Sequence, residues 1–113
     1  MNNQVCNLDK KHCVPCEGGM PPLTAEEIQP LLQQISGWKV IADKALEKEF
    51  KKKDFAEALA FVNNIGKIAE EEGHHPDIFL HGWNKVKITL STHAIKGLSE
   101  NDFILARRID LIA

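Results

Sequence analysis

The stretch Asn84-Lys85-Val86-Lys87-Ile88-Thr89-Leu90-Ser91-Thr92-His93 switches between polar and apolar side chains almost residue by residue. A period of two is the pattern of a β-strand with one dry face and one wet face. Val86, Ile88 and Leu90 point one way; Lys85, Lys87, Thr89, Ser91 and His93 point the other. A strand over 84–93 therefore belongs to an antiparallel sheet that buries one side and leaves the other open. Upstream, residues 77–81 supply its hairpin partner, with the turn near Gly82-Trp83.

The same reading extends toward the N-terminus. Asp54 with Glu57 opens the longest helix, which runs to about Glu72 and meets a terminating glycine at Gly73. Phe55, Ala58, Leu59, Val62 and Ala69 form its expected core stripe. Phe61, Ile65 and Ile68 form a second stripe, open either to a wider contact within the monomer or to another subunit. Before this helix, residues 38–42 and 45–53 read as two strands about an Asp43-Lys44 turn. Thr24 with Glu27 caps a first helix over 24–35, with Pro30 inside it and Ser36-Gly37 after it. Ser99 with Asp102 caps the last helix, which carries Phe103, Leu105, Ala106, Ile109 and Ile112 inward.

The order is αββαββα. Two hairpins separated by a helix predict an α+β fold of two layers, a four-stranded antiparallel sheet with three helices on one face. A chain of 113 residues holds one such core. We divide it into an N-terminal tail, 1–22, expected to be flexible, and a folded domain, 23–113. The tail is polar and ends in Gly18-Gly19-Met20-Pro21-Pro22, without helical or strand periodicity.

Composition narrows the function classes. A net charge of −2 gives no long-range field toward nucleic acid or an anionic membrane. No apolar run approaches the roughly 18 residues of a membrane span. The polar start has no secretory pattern, so the expected location is the cytoplasm and the three cysteines are expected to be thiols. Cys6, His12, Cys13 and Cys16 are residue types that zinc prefers, but four ligands within eleven residues would be cramped. No strand-then-helix context supports a redox pair at Cys13-Val14-Pro15-Cys16.

Three histidines draw attention. Strand parity puts His93 on the open face of the sheet. His74 and His75 lie between Gly73 and Pro76, and the proline biases His75 toward extended backbone. Consecutive extended side chains point apart and do not easily share one ion, so a metal site is not expected, with or without His81. Histidine is the side chain that populates both protonation states near neutrality, with an unperturbed pKa of about 6.5.

With these spacings the sequence resembles a known family. Glu70, three residues, His74-His75-Pro76, six residues, Trp83, nine residues, His93, eight residues and Asp102 look like the signature of the pterin-4a-carbinolamine dehydratases. The stretches 84–86 and 88–93 and Lys96-Gly97-Leu98-Ser99 extend the resemblance, which covers Thr24 to the C-terminus. It implies a hydro-lyase that removes water from 4a-hydroxytetrahydrobiopterin, giving quinonoid dihydropterin for reuse by aromatic amino-acid hydroxylases. It implies no metal and no organic cofactor, and a homodimer or homotetramer formed through helices. No nucleic acid or membrane is expected as a partner.

By the same resemblance His74 and His93 are the acid–base candidates, and His75 chiefly holds the pterin. Glu70, Pro76, Ser91 and Thr92 are expected to bind substrate, Glu70 alternatively fixing an imidazole tautomer. The aspartate matching Asp102 hydrogen-bonds the histidine at the His93 position in the family; the capping role is its structural alternative. Trp83 is expected to pack at its turn. Some relatives have five residues rather than six before this tryptophan, which leaves open whether Ile78 or Phe79 takes the aromatic position beside the pterin. The competing class is a non-catalytic dimerisation or binding module for a regulatory protein.

Overall fold

The computed structural model describes Cys13 and residues 21–113. Cys6, His12 and Cys16 of the zinc and redox readings lie outside the described residues.

The elements follow in the expected order. Helix α1 is Ala25–Leu32, with Thr24 Oγ1 accepting from the Glu27 N–H and Glu27 Oε1 accepting from the Thr24 N–H. It stops at Leu32 rather than near Ile35. Beyond it the bonding tightens, with the Gln34 N–H reaching Leu31 O and the Ile35 N–H reaching Leu32 O. Strands β1, Lys39–Ile41, and β2, Ala45–Lys51, turn through Ala42 and Asp43, both left-handed at φ 52° and 58°. Strand β2 ends two residues before the expected Lys53. The Lys52 N–H goes to Asn84 O at the turn of the second hairpin, and the Lys53 N–H goes to Glu57 Oε1 at the start of the next helix.

Helix α2, Phe55–Glu72, begins with Asp54 accepting from the Glu57 N–H and ends at left-handed Gly73. Strands β3, Asp77–His81, and β4, Lys85–Leu90, form the second hairpin, and α3 is Glu100–Ile112. The sheet order is β1-β2-β4-β3, antiparallel throughout.

The alternation on β4 is realised: Val86, Ile88 and Leu90 have no exposed surface, while Lys85, Lys87 and Thr89 lie on the open face. Each such burial is worth about 1.5–3 kcal/mol before entropy is counted. Leu46 and Phe50 of β2 join them, and the Phe50 ring meets Phe61 of α2 edge-on at 4.9 Å between centroids.

That contact puts the second stripe of α2 inside the monomer, one of its two expected outcomes, and corrects part of the first. Phe61, Ile65 and Ile68 are in the monomer core with Ala58 and Ala69, whereas Phe55 and Leu59 are 50% and 43% exposed and Val62 is half-buried. Helix α2 packs against α3 as well as β3 and β4, and this two-sided cover selects the 61/65/68 face. On α3 the core residues are Phe103, Ile104, Leu105, Ala106 and Ile109; Ile112, expected inside, is exposed near the helix end. Asp110 then ties α3 to the first hairpin. Its carboxylate accepts from the Ser36 N–H at 3.2 Å, Trp38 Nε1 at 3.0 Å and Lys48 Nζ at 2.8 Å.

Strand β4 also stops earlier than expected, at Leu90. Thr92 and Gly97 bond to each other across a tight loop, and His93–Ile95 make a single 3-10 turn closed by left-handed Lys96. His93 is exposed because it sits in this loop; strand parity does not reach it. The loop is buttressed from outside by the lead-in to α1. The Leu23 N–H donates to Leu98 O at 2.8 Å, and a Cβ on Gly97 would lie 2.6 Å from Pro22 Cβ.

Candidate active site

The end of α2 delivers the tandem histidines. The N–H groups of Gly73 and His74 both reach the Ala69 carbonyl, so the chain leaves the helix in a fixed direction. The two rings then separate, as extended neighbours do. His74 turns inward, and its Nε2 donates to Asp102 Oδ1 at 2.6 Å. His75 turns outward, and its Nε2 meets Glu70 Oε2 at 2.5 Å with both side chains well exposed.

Asp102 is fully buried, and its carboxylate is saturated with donors. Besides His74 it accepts from Thr92 Oγ1 at 2.8 Å and from the Ser99 N–H at 3.0 Å, both at Oδ2. The Ser99 hydroxyl in turn donates to Thr92 Oγ1 at 2.7 Å, since the Thr92 proton is committed to the carboxylate. A buried carboxylate with three donors is a stable anion rather than an unpaired charge. Its bond to Nε2 leaves Nδ1 as the remaining proton-accepting atom of a neutral His74 ring.

The expected pairing of Asp102 with His93 is therefore replaced by a pairing with His74. The capping role coexists with it, because one oxygen of Asp102 serves Ser99 and the other serves His74. Thr92, expected to present backbone groups to substrate, is instead buried, with its hydroxyl on Asp102 and its N–H and C=O on Gly97. Glu70, expected to bind substrate or to fix a tautomer, meets the exposed His75 ring. Among the described residues the His93 ring has no hydrogen-bond partner; it lines a shallow cavity of about 290 Å³ with Lys44, Ser91, Thr92 and Lys96. Pro76 is half-buried between Gly73 and β3.

Two aromatic expectations resolve differently. Trp83, expected to pack, is 62% exposed at a left-handed position of its turn. Phe79 stands on the open face, stacked on His81 at 4.7 Å, whereas Ile78 leans against the core. His81 also meets Glu49 Oε1 at 2.7 Å. Among the described residues no cluster of three or more histidine, cysteine or acidic side chains has the geometry to hold a metal. A larger cavity, about 650 Å³, lies along α1 between Leu23, Pro30 and Leu31 and contains none of the histidines.

Sequence reasoning missed Ser99 as a side-chain member of this network and Cys13 as its neighbour. The Cys13 N–H donates to Glu72 Oε1 at 2.7 Å, and its thiol reaches Asn101 O. Glu72 is held on its other oxygen by Arg108. Burial acts to lower the Arg108 pKa, but its hydrogen bonds to Glu72 and Glu71 and their negative charges outweigh it and hold the guanidinium above the ordinary arginine range. The Ser99 signal was available in the capping box; the Cys13 contact had no sequence signal.

Comparison with known proteins bears on the family of the chain. A family profile described as Pterin 4 alpha carbinolamine dehydratase matches residues 21–112. A protein of Alkaliphilus metalliredigens is 55% identical over 105 residues, covering 92% of this chain and 94% of its own length. One from Nitrosospira multiformis is 47% identical, covering 99% and 97%. Both are named, provisionally, as pterin-4-alpha-carbinolamine dehydratase. A crystal structure from Brucella melitensis, described as a transcriptional coactivator/pterin dehydratase, superposes with a TM-score of 0.76 at 35% identity over 81% of this chain and 98% of that one. A pterin dehydratase-like protein identified as a RuBisCO assembly factor in the alpha-carboxysome superposes at 0.59 with 28% identity, covering 71% and 93%.

Proposed function

The chain belongs to the pterin 4 alpha carbinolamine dehydratase family, and we propose that it dehydrates a 4a-hydroxytetrahydropterin by histidine acid–base catalysis. The observation that carries this reading is the His74–Asp102 pair at 2.6 Å, a ring held in one tautomer by a buried anion.

The chemistry asks for such a ring. The substrate hydroxyl sits on a ring carbon next to a nitrogen whose lone pair assists departure. One group protonates the hydroxyl so that it leaves as water; another takes a proton from the pterin, giving the neutral quinonoid dihydropterin. His74 and His93 are the acid and base in this proposal. His75, fixed by Glu70, orients the pterin, with Pro76 and Ser91 at the edges of the two segments that present backbone groups to it. Asp102 and Thr92 position His74. Acid–base catalysis of this kind is typically worth ~10²–10⁴ in rate, sufficient for a reaction that also proceeds spontaneously. The product would return, after reduction, to an aromatic amino-acid hydroxylase such as a phenylalanine hydroxylase, and no metal or organic cofactor enters the scheme. The expected setting is the cytoplasm; among the described residues no helix is long and apolar enough to cross a membrane.

Assembly belongs to the same proposal. Phe55 and Leu59 leave an apolar strip on the outer face of α2, which suits packing against a second copy through helices. A binding or assembly role, like that described for the carboxysome relative, would use such a strip and leave the histidines idle. Stopped-flow dehydration of a 4a-hydroxytetrahydropterin decides between them. The enzyme reading expects acceleration that His74→Ala and His93→Ala each reduce by about tenfold or more. A purified protein that leaves the spontaneous rate unchanged ends it.

A further inference from the structure

The His93 loop and the tip of the first hairpin meet at one end of the sheet. Leu46 pairs with Leu90 at the end of the β2–β4 ladder, and Lys44, Ala45, Ser91 and Thr92, which lie just beyond it, line one cavity. The cavity there is lined by Lys44, Ala45, Ser91, Thr92, His93 and Lys96, with Gly97 behind them. Its lining carries two ammonium groups and an imidazole but no carboxylate. Among the described residues neither Lys44 nor Lys96 has an ion-pair or hydrogen-bond partner for its side chain, whereas Lys48 and Arg108 are each paired.

Lys96 adds a second, independent observation. It sits in the left-handed region at φ 57°, ψ 42°, where a side chain costs about 1–2 kcal/mol relative to glycine. Glycine follows at the next position, so the loop retains a cationic side chain where the backbone would favour none. Such conformations occur in tight turns, as at Ala42, Asp43 and Trp83, and at ligand sites. The cavity also borders the proposed catalytic apparatus: Thr92 lines it and donates to the same carboxylate that holds His74.

We propose that the pterin handled by this chain carries an anionic group on its side chain, a phosphate or a carboxylate, seated between Lys44 and Lys96. The inference rests on the pterin reading above and deepens it by naming the charge class of the substrate. With the ring held near His74 and His93, the side chain would extend toward the hairpin tip. Two cations in a lining that contains no carboxylate attract an anion more strongly than a hydroxylated tail, and the preference weakens with salt.

Binding tests this separately from turnover. Three stable oxidised pterins are titrated into the full chain: one with a side-chain phosphate, one with a carboxylate in its place, and one with a neutral hydroxyl. The phosphate or carboxylate form is expected to bind about tenfold or more tightly than the neutral one; which of the two wins identifies the source of the charge. Lys44→Gln and Lys96→Gln each reduce that preference and the double variant abolishes it, with affinity for the neutral pterin retained. Because Lys96 is left-handed, Lys96→Gly provides a second variant with an unstrained backbone.

Equal binding of all three pterins by the wild type overturns the proposal, as does loss of neutral-pterin binding in parallel in the lysine variants. Displacement of the anionic pterin by the same concentration of inorganic phosphate also overturns it, by showing an anion site independent of the ring. Acceleration of a neutral carbinolamine without any anionic preference ends this inference and leaves the dehydratase reading standing. A lysine-dependent preference without acceleration of any carbinolamine does the reverse.

Discussion

His74 Nε2 lies 2.6 Å from Asp102 Oδ1, joining the residue that follows the cap of α2 to the first turn of α3 across a carboxylate with no solvent exposure. The remaining oxygen holds Thr92 and the Ser99 N–H. One side chain therefore caps a helix, closes the loop that carries His93 and orients a candidate catalytic ring.

Asp102→Asn tests that joint role. The amide keeps the shape but offers one acceptor oxygen to three donors and turns its NH₂ toward one of them. We expect a stability loss of about 1–3 kcal/mol, from the unsatisfied buried donor, visible in thermal unfolding. Dehydration should fall by about tenfold or more, because His74 loses the anion that fixes its tautomer. Unchanged turnover in a folded Asp102→Asn protein would remove Asp102 from the proposed mechanism.

Gly97→Ala probes the buttress of the His93 loop. The added methyl would meet Pro22 Cβ at 2.6 Å, so the lead-in strand or the loop must move. Overpacking of this kind costs about 1–3 kcal/mol. The loop's ties to Leu23 and Thr92 should loosen together, which amide hydrogen exchange at Leu23 and Thr92 would report. Native-like protection at both positions would show that the contact yields without consequence.

Asp110→Ala isolates a structural carboxylate. It leaves Trp38 Nε1, the Ser36 N–H and Lys48 Nζ without their common acceptor. Removing the shared acceptor of partly buried donors costs about 1–3 kcal/mol. Denaturant unfolding should show this loss, and a shift within about 0.5 kcal/mol, the range of ordinary surface changes, would contradict the geometry. Because Asp110 lies away from the histidines in the network, the remaining folded protein should keep its turnover number.

Leu59→Glu addresses assembly. A charge on the outer strip of α2 would be solvated in a monomer but buried without a partner in a helix-mediated dimer or tetramer. Sedimentation should show a wild-type oligomer and a smaller species for Leu59→Glu, with helical content unchanged. An identical sedimentation coefficient for the two proteins would move the interface elsewhere. Phe61→Glu offers the contrast: Phe61 packs on Phe50 in the monomer core, so this change should unfold the chain.

Much of the fold was legible because its signals are local. The β4 alternation, the capping boxes at Thr24 and Ser99 and the stop at Gly73 each depend on neighbours within a few residues, and each is realised. Resemblance to a family's fixed spacings, rather than any periodicity of this chain, grouped the histidines with Asp102. The sequence did not determine which face of α2 turns inward. Two apolar stripes lie side by side on that helix, and only the placement of α3 and the sheet selects Phe61, Ile65 and Ile68 over Phe55 and Leu59.

The partner of Asp102 was likewise a tertiary decision. His74 and Asp102 are 28 residues apart in sequence, and no periodicity relates a helix exit to another helix's first turn. Strand parity pointed to His93, yet the Thr92–Gly97 closure ends the strand before that residue. Sequence set the local geometry of each segment, because capping and alternation act over a few bonds. Packing chose which segments meet, because burying one carboxylate required gathering three donors from separate parts of the chain.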